Sequence, residues 1–147
     1  MEMDFDPHGG FTGLIGVEYE SAGPDGCVLA LNIDDRHRQP YGIVHGGIYS
    51  SLAETAASSA AALYAMEQGI AGAVGLSNST DFFRSHRDGR IRAAATPIHR
   101  GRTQQIWQVD VTRATDGVLL ARGTVRLHNL VDPAAIGGLS GGPSPEE

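Results

Sequence analysis

Between residues 46 and 68 the chain carries Ala53, Ala56, Ala57, Ala60, Ala61, Ala62 and Ala65, set among other helix formers and followed by Gly69. Alanine loses no side-chain entropy in a helix, and a glycine just past the last turn is a common C-terminal stop, so the segment predicts one long helix. Its alanines cover more than one face. A surface helix has no need of that, whereas small side chains all round suit a helix gripped closely by a sheet or a partner helix.

The flanking segments read as strands. Residues 14–21 and 26–33 alternate apolar and β-branched residues with polar ones, and Gly23-Pro24-Asp25-Gly26 supplies turn chemistry between them. The residues up to Gly10 read as a loose arm or a short helical turn, and the polar, Pro- and Gly-bearing stretch 34–44 as a loop. After the helix, strands are expected at 72–82, 90–99, 103–113 and 118–129, with Asp88-Gly89 and Asp116-Gly117 as hairpin turns. This is an α+β arrangement in which an antiparallel sheet of five to six strands wraps one long central helix. A single domain over residues 1–131 is expected, with a Gly-, Ser-, Pro- and Glu-rich tail at 132–147 that reads as disordered.

Composition narrows the classes of function. The 147 residues carry a net charge of −6, which argues against a nucleic-acid footprint over the whole surface. The eleven basic residues are all arginine, and six of them fall between Arg84 and Arg102. The single cysteine, Cys27, excludes an intramolecular disulfide and reads as a small buried hydrophobe. The first seven residues lack a signal-peptide pattern, and no apolar run approaches the roughly 20 residues of a membrane span. A soluble, cytoplasmic protein is expected. The six histidines are scattered without paired-ligand spacing, and no dinucleotide or phosphate-loop fingerprint occurs, so neither metal nor cofactor is expected.

The start of the helix carries chemistry. In Gln39-Pro40-Tyr41-Gly42-Ile43-Val44-His45-Gly46-Gly47 the two final glycines fall at the helix N-terminus, where amides lack intrahelical acceptors. Without a Cβ, a carbonyl oxygen can approach and be polarised there. Glu54 lies on the same helix among Leu52, Ala53, Ala56 and Ala57, surroundings unlike a solvated face. A polarising amide with a carboxylate is a minimal kit for acyl transfer or hydrolysis. Eight residues of helix separate Gly46 from Glu54 by roughly 12 Å, too far for a glutamate to serve the same carbonyl within one chain. If the two act together, antiparallel helices of two subunits must pair Gly46 of one with Glu54 of the other, giving two equivalent sites by two-fold symmetry.

Gly42-x-x-His45-Gly46-Gly47, followed by Leu52-Ala53-Glu54, resembles the hotdog-fold acyl-CoA thioesterases of the phenylacetate-pathway and 4-hydroxybenzoyl-CoA type. Asp81-Phe82-Phe83-Arg84, Gly89 and His99-Arg100-Gly101-Arg102-Thr103 agree with it. The resemblance covers roughly residues 13–128 and, through Glu54 with Gln39, points to the branch that includes 1,4-dihydroxy-2-naphthoyl-CoA hydrolases of menaquinone synthesis. It implies Glu54 as nucleophile or general base, the Gly46 amide beside Gly47 as the carbonyl polariser, Gln39 as a substrate- or water-orienting group, and Ser58 near the carboxylate. His45 reads better as a tether of its loop than as a general base, since no partner stands at triad-like spacing. Coenzyme A carries phosphates that suit guanidinium forks, which makes Arg84, Arg100, Arg102 and Thr103 candidates to bind it. A homodimer or homotetramer with shared sites and an aromatic acyl-CoA substrate are implied. The rival readings are a hotdog enoyl-thioester hydratase or dehydratase and a non-catalytic acyl-CoA-binding module.

Overall fold

The long helix forms where the alanines predict it, because both of its ends are closed locally. The computed structural model describes residue 6 and residues 8–132, and within it the helix, α2, runs Gly46–Glu67. His45 is its N-cap. At the other end Gly69 adopts φ +78°, its N–H donates to the Met66 carbonyl, and the Ile70 N–H donates to the Ala65 carbonyl. That reciprocal pair is a Schellman cap, and the left-handed residue it needs is the glycine.

Before α2 come a short helix α1 (Gly10–Ile15), strands β1 (Glu18–Gly23) and β2 (Gly26–Ile33), and a 3-10 turn at Asp35–His37; after it come β3 (Gly72–Phe82), β4 (Gly89–Arg100), β5 (Gln104–Arg113) and β6 (Leu119–Leu130). The six strands form one antiparallel sheet in the order β1-β2-β4-β5-β6-β3, with α2 packed on it. Two expectations need correcting. The first strand begins at Glu18 rather than residue 14, because Leu14 belongs to α1, which ends where Gly16 turns left-handed at φ +82°. Asp88-Gly89 is not a hairpin turn: β3 pairs with β6 while β4 pairs with β2 and β5, so the connection crosses the sheet. Most of the expected tail, residues 133–147, lies outside the described residues.

Strand alternation fills the space under α2. Cys27, Leu29 and Leu31 of β2, Ile91 and Ala93 of β4, Trp107, Val109 and Val111 of β5, and Val125 and Leu127 of β6 are buried against Leu52, Ala53, Ala56, Ala57, Ala60 and Ala61. Burial pushes the Cys27 thiol up to about 11, so it stays protonated and inert near neutral pH. Small residues decide how near the helix lies. A Cβ on Gly123 of β6 would stand 2.8 Å from the Ala53 Cβ and 2.8 Å from the Thr80 Oγ1.

One polar cluster is buried in this core. The Trp107 Nε1–H donates to the Gln105 Oε1 at 2.9 Å, and the Gln105 Nε2 donates to the Ala61 carbonyl at 3.1 Å and to the Asn129 Oδ1 at 2.7 Å. Asn129 in turn donates to the Gly101 and Arg102 carbonyls. The cluster ties the second half of α2 to the β4–β5 turn. Replacing Gln105 by leucine strands a buried indole N–H and the Asn129 Oδ1, so Gln105→Leu should destabilise the fold by about 2–4 kcal/mol. A fall in the urea midpoint at constant m, read from the single tryptophan, checks this.

Candidate active site

The loop before α2 is held from both sides. The His45 N–H donates to the His37 carbonyl at 2.8 Å and the Val44 N–H to the His86 carbonyl at 2.9 Å. His37 is itself fully buried, its Nδ1 accepting the Asp34 N–H at 2.9 Å and its Nε2 facing the Ile15 carbonyl at 2.6 Å. A ring nitrogen that accepts a backbone N–H carries no proton, so His37 is the neutral tautomer and a structural clamp.

His45 behaves similarly. Its Nδ1 accepts the Gly47 N–H at 2.8 Å, and the Ile48 N–H returns to the His45 carbonyl at 2.9 Å. Of the two glycine amides expected at the helix tip, Gly47 is therefore engaged. The Gly46 N–H has no acceptor among the described residues. A Cβ on Gly46 would stand 2.5 Å from the Phe82 ring, so glycine is also what lets that ring lie against the tip.

Gly46 opens on a cleft of about 270 Å³ lined by Gln39, Ile43, Val44, Tyr49, Phe82, Phe83, Arg84 and Ser85. Gln39 holds its Oε1 on the Tyr41 N–H, leaving its NH2 group as a donor. Tyr49 packs on Phe82 with ring centroids 5.8 Å apart, and burial pushes its phenol up to about 12, which keeps it neutral. Its hydroxyl is buried without a hydrogen-bond partner among the described residues.

Glu54 stands elsewhere on α2, half-buried over β3. Its Oε2 accepts from the Asn78 Nδ2 at 3.2 Å, and the Ser58 hydroxyl lies 3.5 Å from Oε1, the outer limit of a hydrogen bond. A side chain on Gly75 would overlap Oε1. Gly75 and Asn78 are three residues apart, an odd spacing that in a regular strand puts them on opposite faces. Both face α2 because the β3–β6 register shifts between Gly75 and Ser77: a bulge turns the strand once between them. The Asn78 Nδ2 also donates to the Ser50 carbonyl at 2.9 Å, and the Thr80 hydroxyl donates to the Asn78 Oδ1 at 2.7 Å.

Gly46 and Glu54 are not brought together within the chain. One lies against Phe82 and the other against Gly75, seven residues apart along the same strand. The expected arginines divide likewise. Arg84 lines the Gly46 cleft. Arg102 lines a second recess of about 340 Å³ with Tyr64, Gln68, Ile70, Arg100 and Gly101, beside the other end of α2. Arg100 is already engaged by the Asp25 carboxylate at 2.8 Å and the Pro24 carbonyl at 3.0 Å, and lies 4.7 Å from the Tyr64 ring. Thr103 contributes its carbonyl to the Asn129 N–H. Gly75, Asn78 and Thr80 escaped sequence reasoning because their common face depends on the bulge, which no local motif announces.

An unclaimed helix-tip amide over a cleft and a carboxylate held by neutral donors are the parts of an acyl-transfer site. The profile of the thioesterase superfamily matches residues 41–120, and the chain belongs to that family of hotdog-fold enzymes. It is a thioester hydrolase. A protein of Mycobacterium tuberculosis is 43% identical over 121 residues, 82% of this chain and 86% of its own. A solved structure of that protein superposes with a TM-score of 0.78 at 41% identity, covering 82% of this chain and 95% of the other. The 1,4-dihydroxy-2-naphthoyl-CoA hydrolase of Escherichia coli is 34% identical over 103 residues, 70% of this chain and 74% of its own. Thioesterase HI1161 of Haemophilus influenzae superposes with a TM-score of 0.73 at 35% identity over 81% of this chain and 82% of its own.

The contact between Gly75 and Glu54 gives a test of the carboxylate's placement. Gly75 lies at the exposed sheet edge with an unstrained backbone, so Gly75→Ala should leave the melting temperature almost unchanged. Its methyl displaces the carboxylate, and thioester turnover should fall by about 10-fold or more. Steady-state kinetics beside thermal denaturation reads both.

Proposed function

We propose that the protein hydrolyses an acyl-CoA at a site shared by two subunits. The Gly46 N–H of one subunit polarises the thioester carbonyl, and Glu54 of the partner subunit attacks it or activates water. As nucleophile, Glu54 forms a mixed anhydride while CoA departs as thiolate, and water then opens the anhydride. As base, it takes the proton of the attacking water.

The observation that carries this reading is that both groups lie against β3, which is an edge strand. Leu76, Phe82 and Phe83, on or just past that edge, are at least half exposed, and an unpaired edge flanked by exposed apolar side chains is a template for a second copy. Two midpoints support the pairing. Antiparallel helices bring Gly46 to Glu54 of the partner subunit when the axis passes level with residue 50. Antiparallel β3 strands bring the Phe82 contact to the Gly75 contact of the partner when the axis passes between residues 78 and 79. Ser50 and Asn78 are hydrogen-bonded to each other, so a single two-fold axis at that level meets both conditions.

A cleft lined by Tyr49, Phe82 and Phe83 favours an aromatic acyl group. The similarity to the E. coli 1,4-dihydroxy-2-naphthoyl-CoA hydrolase favours dihydroxynaphthoyl-CoA, with menaquinone synthesis as the setting, while the resemblance of the sequence motifs keeps hydroxybenzoyl-CoA and phenylacetyl-CoA as alternatives. Arg84 is the cation placed to meet CoA phosphates from the same chain; Arg102 would do so only from a neighbouring subunit. A cytoplasmic dimer or dimer of dimers completes the reading, and among the described residues no helix is long and apolar enough to cross a membrane.

Glu54→Gln should lower kcat by about 1,000-fold with the fold intact, as expected for loss of the reacting group. Mixing refolded Glu54→Gln chains with Gly46→Val chains should restore roughly a quarter of wild-type activity, because half the random pairs are mixed and each carries one complete site. Mixtures as inactive as their components would disprove the shared site. Arg84→Ala should raise KM for CoA esters about 10-fold while leaving short N-acetylcysteamine thioesters nearly unaffected.

A further inference from the structure

We propose that Asn78 is a positioning residue for the reaction: its side-chain amide, fixed between the Ser50 carbonyl and the Thr80 hydroxyl, holds one oxygen of Glu54 so that the other is presented to the thioester. The proposal rests on the reading of Glu54 given above. It names a residue that neither the family motif around His45 nor the helix sequence contains.

Three observations carry it. First, the orientation of the amide is dictated by chemistry. Its NH2 group faces the Ser50 carbonyl at 2.9 Å and the Glu54 Oε2 at 3.2 Å, both of which only accept, so the Oδ1 must be the atom that takes the Thr80 hydroxyl. An amide fixed at three points cannot swing away when the substrate enters. Second, the groups that face the carboxylate are neutral. They are Ser58 from α2 and Gly75 and Asn78 from β3, and among the described residues Glu54 forms no ion pair. A cation there would align the carboxylate but also draw off the charge that makes it reactive. A neutral donor aligns it and leaves the charge in place. Third, asparagine is disfavoured in strands because its side chain competes for backbone groups. Asn78 nonetheless stands in β3 at an exposed edge position, where a purely structural residue has little core to hold. The bulge between Gly75 and Ser77 is what turns it toward Glu54.

A glutamate on a helix has three rotatable bonds, and the reacting atoms must come within about 3–3.5 Å in a defined direction. Ser58, at 3.5 Å from Oε1, restrains the carboxylate only loosely. Asn78 therefore supplies most of the alignment.

Asn78→Ala should lower kcat by about 10- to 100-fold with KM within roughly twofold, the signature of an interaction that matters in the transition state. Thr80→Val frees the amide to turn and should give a smaller fall of the same kind. Asn78→Asp, nearly isosteric, sets a second carboxylate beside Glu54; like charges oppose ionisation, so the acid limb of kcat/KM should move up by about one pH unit. That shift tests contact with Glu54, since any carboxylate there acts by proximity; the loss of kcat at unchanged KM, which a merely structural role would not give, tests the positioning. If Asn78→Ala and Asn78→Asp both keep wild-type kcat and pH profile while Glu54→Gln is inactive, the positioning role is wrong and the reading of Glu54 survives. Should Glu54→Gln remain active, that reading fails and takes this proposal with it. Where the alanine variant does not fold, Thr80→Val decides: a wild-type kcat there, with Glu54→Gln inactive, overturns the positioning role.

Discussion

The close approach of α2 to the sheet is the constraint on which the rest depends. At two points along the helix, contact distance is set by a missing side chain: Gly46 under the Phe82 ring and Gly123 beneath Ala53; at a third, Gly75 leaves the room that the Glu54 carboxylate occupies. A Cβ at either of the first two would collide with packed groups, and packed interiors absorb such overlaps by moving elements apart rather than by compression. The same closeness lets a short asparagine on a strand reach both the backbone and a carboxylate of the helix. A larger gap would leave Glu54 as an ordinary solvated helix acid. Alanine in the sequence is thus connected to chemistry through a distance.

β3 carries two demands at once. Its inner face supplies the floor for Glu54 and the wall for Gly46, and its free edge exposes apolar side chains. An exposed apolar edge is a hazard for a lone chain, since it invites uncontrolled pairing. Covering it with a second copy answers the hazard, and in the proposed two-fold arrangement it also brings the amide and the acid together. Assembly and chemistry then draw on one strand. The polar stripe on α2 fits this. Ser51, Thr55 and Ser59 return their hydroxyls to carbonyls four residues back, which satisfies them locally and keeps that face narrow.

What could be read from the chain beforehand follows the range of the interactions. The helix was legible to within a residue or so because its two caps are local: a histidine folding over two glycines, and a glycine ready for φ +78°. Glu54 and Gly46 stood out because an acid in an alanine run and a double glycine at a helix start are visible without a fold. The crossing of β3 to the far edge was not legible. Asp88-Gly89 has hairpin chemistry, and only the pairing of β3 with β6 removes it from a hairpin. The ranking of the arginines was equally hidden: Arg100 is engaged by Asp25, seventy-five residues away, while Arg84 opens on the cleft. Asn78 needed a bulge whose position depends on the register with β6.

The histidines separate the hydrolase from a hydratase built on the same frame. Moving a proton at an acyl carbon calls for an imidazole that is free to gain and lose it beside an acid. His45 has its Nδ1 on the Gly47 N–H, so the nitrogen nearest the helix tip is committed to holding the tip open. His37 is enclosed between the Asp34 N–H and the Ile15 carbonyl. Neither is hydrogen-bonded to Glu54, whose contacts are an amide and a hydroxyl. Within one chain the carboxylate has neutral partners and no imidazole, which suits attack on a carbonyl or removal of a proton from water. In the proposed shared site His45 of the partner subunit stands beside the Gly46 amide with its Nδ1 already taken by the Gly47 N–H, so that nitrogen is not available to relay the proton an enolate needs. The cap on α2 thus favours acyl transfer over hydration.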